Sequence, residues 1–229
     1  MQNGGISIVE ILVSLGIIVV LATLFAGVAK RILQESRNAG CVNNLRQISA
    51  ASFAYSADHN GEWPANFVHP TDPYQNIVFS ESLSSYLPAY PRWPSGDFRK
   101  SPLVCPADKV PHTAGNPDVG YTVFRYGLSY GQNQSLNSTL RDSSAGIRRQ
   151  LVKHPSELAL YMDFTGHFEM NASRLKVNSS IPNKTRLDLL KERHNGKGNV
   201  AFADGSIRPV DLDTLSIPSP SLFWQGRTE

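Results

Sequence analysis

The chain has 229 residues, 18 % of them charged, a net charge of +3 and only two cysteines. This length holds one membrane helix and one folded domain of moderate size. The positive charge is small and scattered, with no basic run and no aromatic-interleaved patch, which argues against a nucleic-acid partner. Cys41 and Cys105 on their own make neither a disulfide-dense framework nor a zinc constellation.

The first element is apolar. From Ile6 to Ala29 there are 24 residues whose only charge is Glu10, and about 20 such residues span a bilayer core. Met1 to Gly5 contains no Lys or Arg, so a conventional secretory signal is disfavoured. A carboxylate inside a membrane span is costly, by about 3 kcal/mol at a helix centre, so Glu10 is a functional candidate. Its alternative is an anchor residue that snorkels to the headgroups. Lys30, Arg31 and Arg37 follow the span, and the positive-inside rule on its own would leave the rest of the chain in the cytoplasm.

All 15 prolines lie at or beyond Pro64, so residues 6 to about 58 contain no obligate helix breaker. Val42, Leu45, Ile48, Ser52 and Tyr55 recur at helical spacing, opposite Asn43, Asn44, Arg46 and Gln47. The pattern predicts one long helix, membrane-spanning over 6–29 and amphipathic over 30–60. Gly16, Gly27 and Gly40 are its soft points, and Asp58-His59-Asn60-Gly61 is its exit turn.

Residues 62–150 are rich in Pro, Gly, Asn, Ser and aromatic residues. They read as loops with short strands and a short helix near Ile77 to Tyr86. Further strands are expected at Leu151-Val152 and Leu158 to Met162, then at Asn199 to Phe202 and Ile207 to Val210. The last two flank Ala203-Asp204-Gly205-Ser206, and Asp-Gly between alternating apolar residues is a strong hairpin signal. Leu187 to Arg193 suits a short helix or a turn before that hairpin.

Gly5-Ile6 followed by Glu10 at the head of an apolar run resembles the N-terminus of type IV prepilins and type II secretion pseudopilins. The resemblance implies cleavage by a prepilin peptidase after Gly5, N-methylation of Ile6, and Glu10 as the assembly residue. Leaders of that family usually carry a basic residue before the glycine, and this one does not. His194, nine residues and then Asp204-Gly205 resemble the H-X9-DG region at the C-terminal end of many prepilin-like proteins. The segments Cys41 to Ile48, Tyr55 to Pro64, Val104-Cys105-Pro106-Ala107-Asp108, Tyr126 to Asn133 and Pro155-Ser156-Glu157 resemble further pieces of the same family, in order. The resemblance covers nearly the whole chain.

It implies a 1–5 leader, a 6–29 transmembrane helix, a 30–60 helix extension and a soluble pilin-like α+β domain over 61–229. In that fold the helix packs on a small antiparallel sheet. The implied role is structural and not enzymatic: an inner-membrane, single-pass subunit with its domain extracytoplasmic. Its partners would be the peptidase, other pseudopilin subunits, an assembly platform and membrane lipid. The rival is a membrane-anchored module that binds carbohydrate through Trp63, Tyr74, Tyr90 and Trp93 without forming a filament.

For His194, Asp204 and Gly205 the expected role is hairpin geometry. Asp204 would occupy a positive-φ turn position, and His194 would pack at the hairpin base against a loop carbonyl. Two alternatives stay open. One is a calcium site from Asp163, Asp204, Asp211 and Asp213, as some pseudopilins hold near the C-terminus. The other is catalysis by His194 with Asp204 or Asp163 as its orienter. No cofactor is otherwise expected. Cys41 and Cys105, both in family-like motifs, are either a disulfide suited to an extracytoplasmic domain or two buried thiols, with the bridge favoured.

Overall fold

A computed structural model describes residues 7–65, 67–68, 77–88, 101–108, 128–136, 147–164, 169–170, 185–213, 215 and 222–225. Helix α1 (Ile8–Asp58) runs unbroken for 51 residues, as the absence of proline dictates. It ends at Asn60, in left-handed conformation at φ 53°, with the Gly61 N–H closing back on the Ser56 carbonyl at 2.8 Å.

Five strands form the main sheet: β3 (Tyr130–Asn133), β4 (Ala159–Asp163), β5 (Glu169–Met170), β6 (Lys197–Phe202) and β7 (Ile207–Asp211). Their order is β5-β3-β4-β6-β7. The four strands from β3 to β7 are antiparallel neighbours, and the two-residue β5 lies parallel at the β3 edge. A separate two-stranded ribbon pairs β1 (Phe67–Val68) with β2 (Ile77–Val78), followed by the single turn α2 (Phe79–Ser82). Helix α3 (Arg186–Arg193) precedes β6 and opens with a capping box between Thr185 and Asp188. The molecule is thus a long N-terminal helix on a small, mostly antiparallel sheet.

The sheet is buried on both faces. Helix α1 covers one, with Cys41, Leu45, Ile48, Tyr130, Leu160, Tyr161 and Ala201 in contact. The other holds Met162, Phe164, Leu190, Val200, Phe202, Leu212 and Trp224. The helix meets the sheet along Cys41, Leu45, Ile48, Ser52 and Ser56, all buried. Leu45, Ile48 and Ser52 are the expected members of this face; Cys41 and Ser56 complete it, and Val42 and Tyr55 flank it half-buried. Packing begins at Asn38, not at residue 30; Ile32 and Leu33 remain exposed at 60 % and 57 %.

Two other expectations are corrected. Leu151 lies in a 3₁₀ turn, Arg149–Leu151, and is exposed, so it pairs with no strand. Its apolar character misled because none of the described residues covers that side chain. The segment Tyr130-Gly131-Gln132-Asn133, expected in the loop-rich middle, is the strand β3 near the centre of the sheet. Its buried amides are satisfied individually. Gln132 donates to the Pro64 carbonyl at 2.8 Å, and Asn133 donates to Ala159 O and Trp224 O at 2.8 and 2.9 Å.

Strand β4 carries an irregularity between Ala159 and Tyr161. Leu160 and Tyr161 therefore both join the helix-side core, and the alternation of β4 reverses after them. Asp163, two residues on from Tyr161, falls on the same side as α1. An uninterrupted strand continuing the parity of Leu158 and Leu160 would have turned it away from the helix.

Candidate functional site

Four elements converge below α1 at Cys41. Cys41 is bonded to Cys105, with a Cα–Cα distance of 4.9 Å and both side chains buried. Asp163 arrives from β4 through the bulge. His194 arrives from the C-terminus of α3, where a second left-handed exit uses Asn195 (φ 55°) and Gly196 (φ 82°). The Gly196 N–H bonds the Lys191 carbonyl at 2.9 Å, which turns His194 inward at the point where the helix stops.

His194 Nε2 lies 3.1 Å from Asp163 Oδ2 and 3.7 Å from Cys105 Sγ. The Asn199 backbone N–H and its Nδ2 both donate to the same Asp163 oxygen at 2.9 Å. Both partners are withdrawn from solvent, with side-chain exposures of 4 % for His194 and 0 % for Asp163. Asp163 Oδ1 and His194 Nδ1 are buried and have no hydrogen-bond partner among the described residues. Beside them, Arg193 Nη2 pairs with Asp108 Oδ2 at 2.5 Å, at side-chain exposures of 2 % and 1 %. Ser129 Oγ donates to that carboxylate at 2.8 Å, and Arg193 Nη1 donates to the Ser129 carbonyl at 3.2 Å. Such a pair contributes little net stability, but breaking it leaves a buried charge unmatched.

A polar ladder ties α1 to this region. Gln34 donates to Asn195 Oδ1 at 2.7 Å, and Asn199 donates to Asn38 Oδ1 at 2.9 Å. Tyr130 Oη donates to the Cys41 carbonyl at 3.3 Å, and Asn44 donates to Val104 O at 2.8 Å. Burial, followed by the charge of Asp163, holds the Tyr130 hydroxyl protonated well above its ordinary value. Further along α1, Ser52 meets Tyr161 Oη at 2.7 Å.

The expected site residues are therefore dispersed differently than foreseen. His194 faces a carboxylate and a disulfide instead of a loop carbonyl. Asp204 sits exposed at the hairpin tip without a positive φ; only Gly205, at φ 87°, takes that conformation. The turn is a three-residue loop. The Gly205 N–H bonds Phe202 O and the Phe202 N–H bonds Ser206 O, both at 2.9 Å, so the glycine supplies the left-handed step. Asp204 Oδ1 accepts from Ser206 N at 2.9 Å and from its hydroxyl at 2.7 Å. Partial burial opposes ionisation of Asp204, but these Ser206 bonds and Arg208 outweigh it and lower its carboxyl below the ordinary value.

The acidic residues considered for calcium do not share one place. Asp163 is buried in β4, Asp204 lies on the turn before β7, Asp211 is the last residue of β7, and Asp213 lies just beyond it, where it pairs with Lys191. Among the described residues, the one His/Cys/Asp/Glu cluster compact enough for a metal comprises Cys41, Cys105, Asp163 and His194. Sequence spacing did not group these four, because they come from separate elements. The only signal was an Asp closing the apolar run Leu158 to Met162. Among the described residues, no hydroxyl or free thiol is hydrogen-bonded to His194.

Glu10 is exposed in the first turn of α1. Gly5 and Ile6 lie outside the described residues, as do Tyr74, Tyr90 and Trp93; Trp63 is fully buried against Phe53 and offers no ligand-stacking face. No family model matches the chain, and comparison with curated proteins and with solved structures returned no significant match.

Proposed function

We propose that this chain is a pseudopilin-like structural subunit. In this reading it is cut after Gly5, held in the inner membrane by residues 6–29 with its pilin-like domain on the extracytoplasmic side, and assembled into a filament through Glu10. One observation carries the reading. Every described large apolar side chain of α1 from Ile8 to Leu33 is exposed, and the domain covers none of them. At 1.5 Å per residue the helix is roughly 75 Å long, and the sheet occupies only its second half. So extensive an apolar surface requires lipid or the helices of neighbouring subunits.

Glu10 is the only charge in that stretch before Lys30. Cleavage after Gly5 would create an α-amino group roughly 6 Å along the axis from Glu10. A neighbouring subunit displaced by about one helical turn brings its amine to this carboxylate. The pair then sets register, because a misplaced subunit leaves both charges unmatched in an apolar medium. The Cys41–Cys105 disulfide suits an oxidising compartment. In-cell crosslinking of wild type and Glu10→Ala tests the proposal. The variant should retain a folded domain while crosslinked oligomers fall sharply; undiminished oligomers would reduce Glu10 to an anchor residue.

A further inference from the structure

We propose that Cys41, Cys105, Asp163 and His194 form a Cys₂-His-Asp site for a zinc-class divalent cation whenever the Cys41–Cys105 bond is open. The proposal does not depend on filament assembly. Its basis is geometric. One ligand atom from each of the four residues lies within 4.8 Å of every other. Tetrahedral zinc, with bonds of about 2.0–2.2 Å to N and O and about 2.3 Å to S, holds its N and O ligands about 3.3 Å apart and its N and S ligands about 3.6 Å apart. His194 Nε2 is already 3.1 Å from Asp163 Oδ2 and 3.7 Å from Cys105 Sγ. The two sulfurs must separate to about 3.8 Å.

The donor chemistry selects the ion. Two thiolates and an imidazole favour zinc over calcium or magnesium, which take hard oxygen ligands. Asp163 Oδ2, the oxygen beside His194, is the ligand atom, and it is held in place by the Asn199 N–H and Nδ2, with Oδ1 buried next to it. That hold on a ligating carboxylate is the kind of outer contact metal sites use.

The two states exclude one another. In the bridged form neither sulfur carries charge, so the thiolate ligands vanish. A phosphine opens the bond: phosphorus is oxidised to the phosphine oxide with oxygen from water, and the disulfide takes up two electrons and two protons as two thiols. Cation binding then displaces both thiol protons. Either state joins α1 at Cys41 to the segment carrying Cys105. The metal would thus keep the helix docked in a reducing compartment, where the disulfide does not persist.

The full chain in detergent is reduced with a phosphine, given zinc chloride and desalted without oxygen. Bound metal is read by plasma mass spectrometry, thiols by titration, and the ligand shell by X-ray absorption. The reduced chain should hold one zinc with two sulfur and two nitrogen or oxygen neighbours, and the bridged chain none. His194→Gln and Asp163→Asn should each weaken binding by more than the roughly 10–100-fold typical of losing an outer-shell partner, while Asp204→Asn binds as wild type. If a variant fails to fold, the wild-type absorption spectrum decides. Substoichiometric zinc on the reduced chain, equal zinc on the bridged chain, or a shell without sulfur would overturn the assignment.

Discussion

Gly205→Val should destabilise the domain far more than Asp204→Asn. Gly205 is at φ 87°, where a residue with a Cβ costs about 1–2 kcal/mol. An added Cβ would lie 3.4 Å from Phe53 Cε2 and 3.7 Å from Cζ, which is ordinary contact. Gly205→Ala therefore carries mainly the backbone cost. Valine adds two methyl groups toward a ring that cannot retreat. Phe53 is held by the edge of Trp63 at 5.1 Å and by the Arg149 guanidinium at 5.5 Å. Overpacking of this kind costs about 1–3 kcal/mol, so the valine variant should lose about 2–5 kcal/mol. Asp204→Asn keeps the oxygen that accepts from Ser206 on an exposed turn, and should stay within about 0.5 kcal/mol. Urea unfolding of the full chain in detergent, followed by tryptophan fluorescence, measures this cleanly: α1 contains no tryptophan, whereas Trp63 and Trp224 are buried in the two cores. In a Phe53→Leu background the excess of Val over Ala should shrink, since the two sites couple through contact. Equal losses for Gly205→Val and Asp204→Asn would refute the reasoning and assign the Asp-Gly pair to charge.

Asp108→Ala should cost about 3–5 kcal/mol, because it removes the buried carboxylate that faces the Arg193 guanidinium; the same fluorescence assay reads it. Replacing both cysteines with serine, assayed with a chelator present, should cost about 4 kcal/mol, the chain entropy of closing a loop over a sequence separation of 64 residues. A loss below about 1 kcal/mol would mean that the reduced chain is already constrained there. Burial holds the Tyr130 and Tyr161 hydroxyls above their ordinary value near 10. Both stay protonated in the fold while the unfolded chain ionises, so stability is full below about pH 10 and declines as pH rises toward the folded values. Tyr130→Phe should flatten that decline in urea midpoints measured against pH.

The long helix was legible because its signals are local: no proline before Pro64, an apolar run, and an Asn-Gly exit. The hairpin was legible for the same reason. Its turn type was not, since Asp-Gly serves both a two-residue loop and the three-residue loop found here, in which Ala203 joins the turn and only Gly205 is left-handed. The helix face was legible through Leu45, Ile48 and Ser52; at its start Cys41, fixed by the disulfide, takes the inward place and Val42 is half-buried beside it. Strand β3 was hidden by Gln132 and Asn133, polar residues that are buried only because distant carbonyls receive them. The pairing of His194 with Asp163 was the least readable feature. It depends on a bulge in β4 and on the left-handed exit of α3, which together aim residues 31 positions apart at one disulfide. No spacing rule for a single element contains that information.

The central claim is that the uncovered apolar helix belongs to a processed, membrane-held subunit that assembles through Glu10. Mass spectrometry of the N-terminal peptide from native membranes tests it most directly. The account predicts a chain beginning at Ile6 with a methylated α-amino group. An intact Met1 terminus, in cells where the processing peptidase is present, would contradict it.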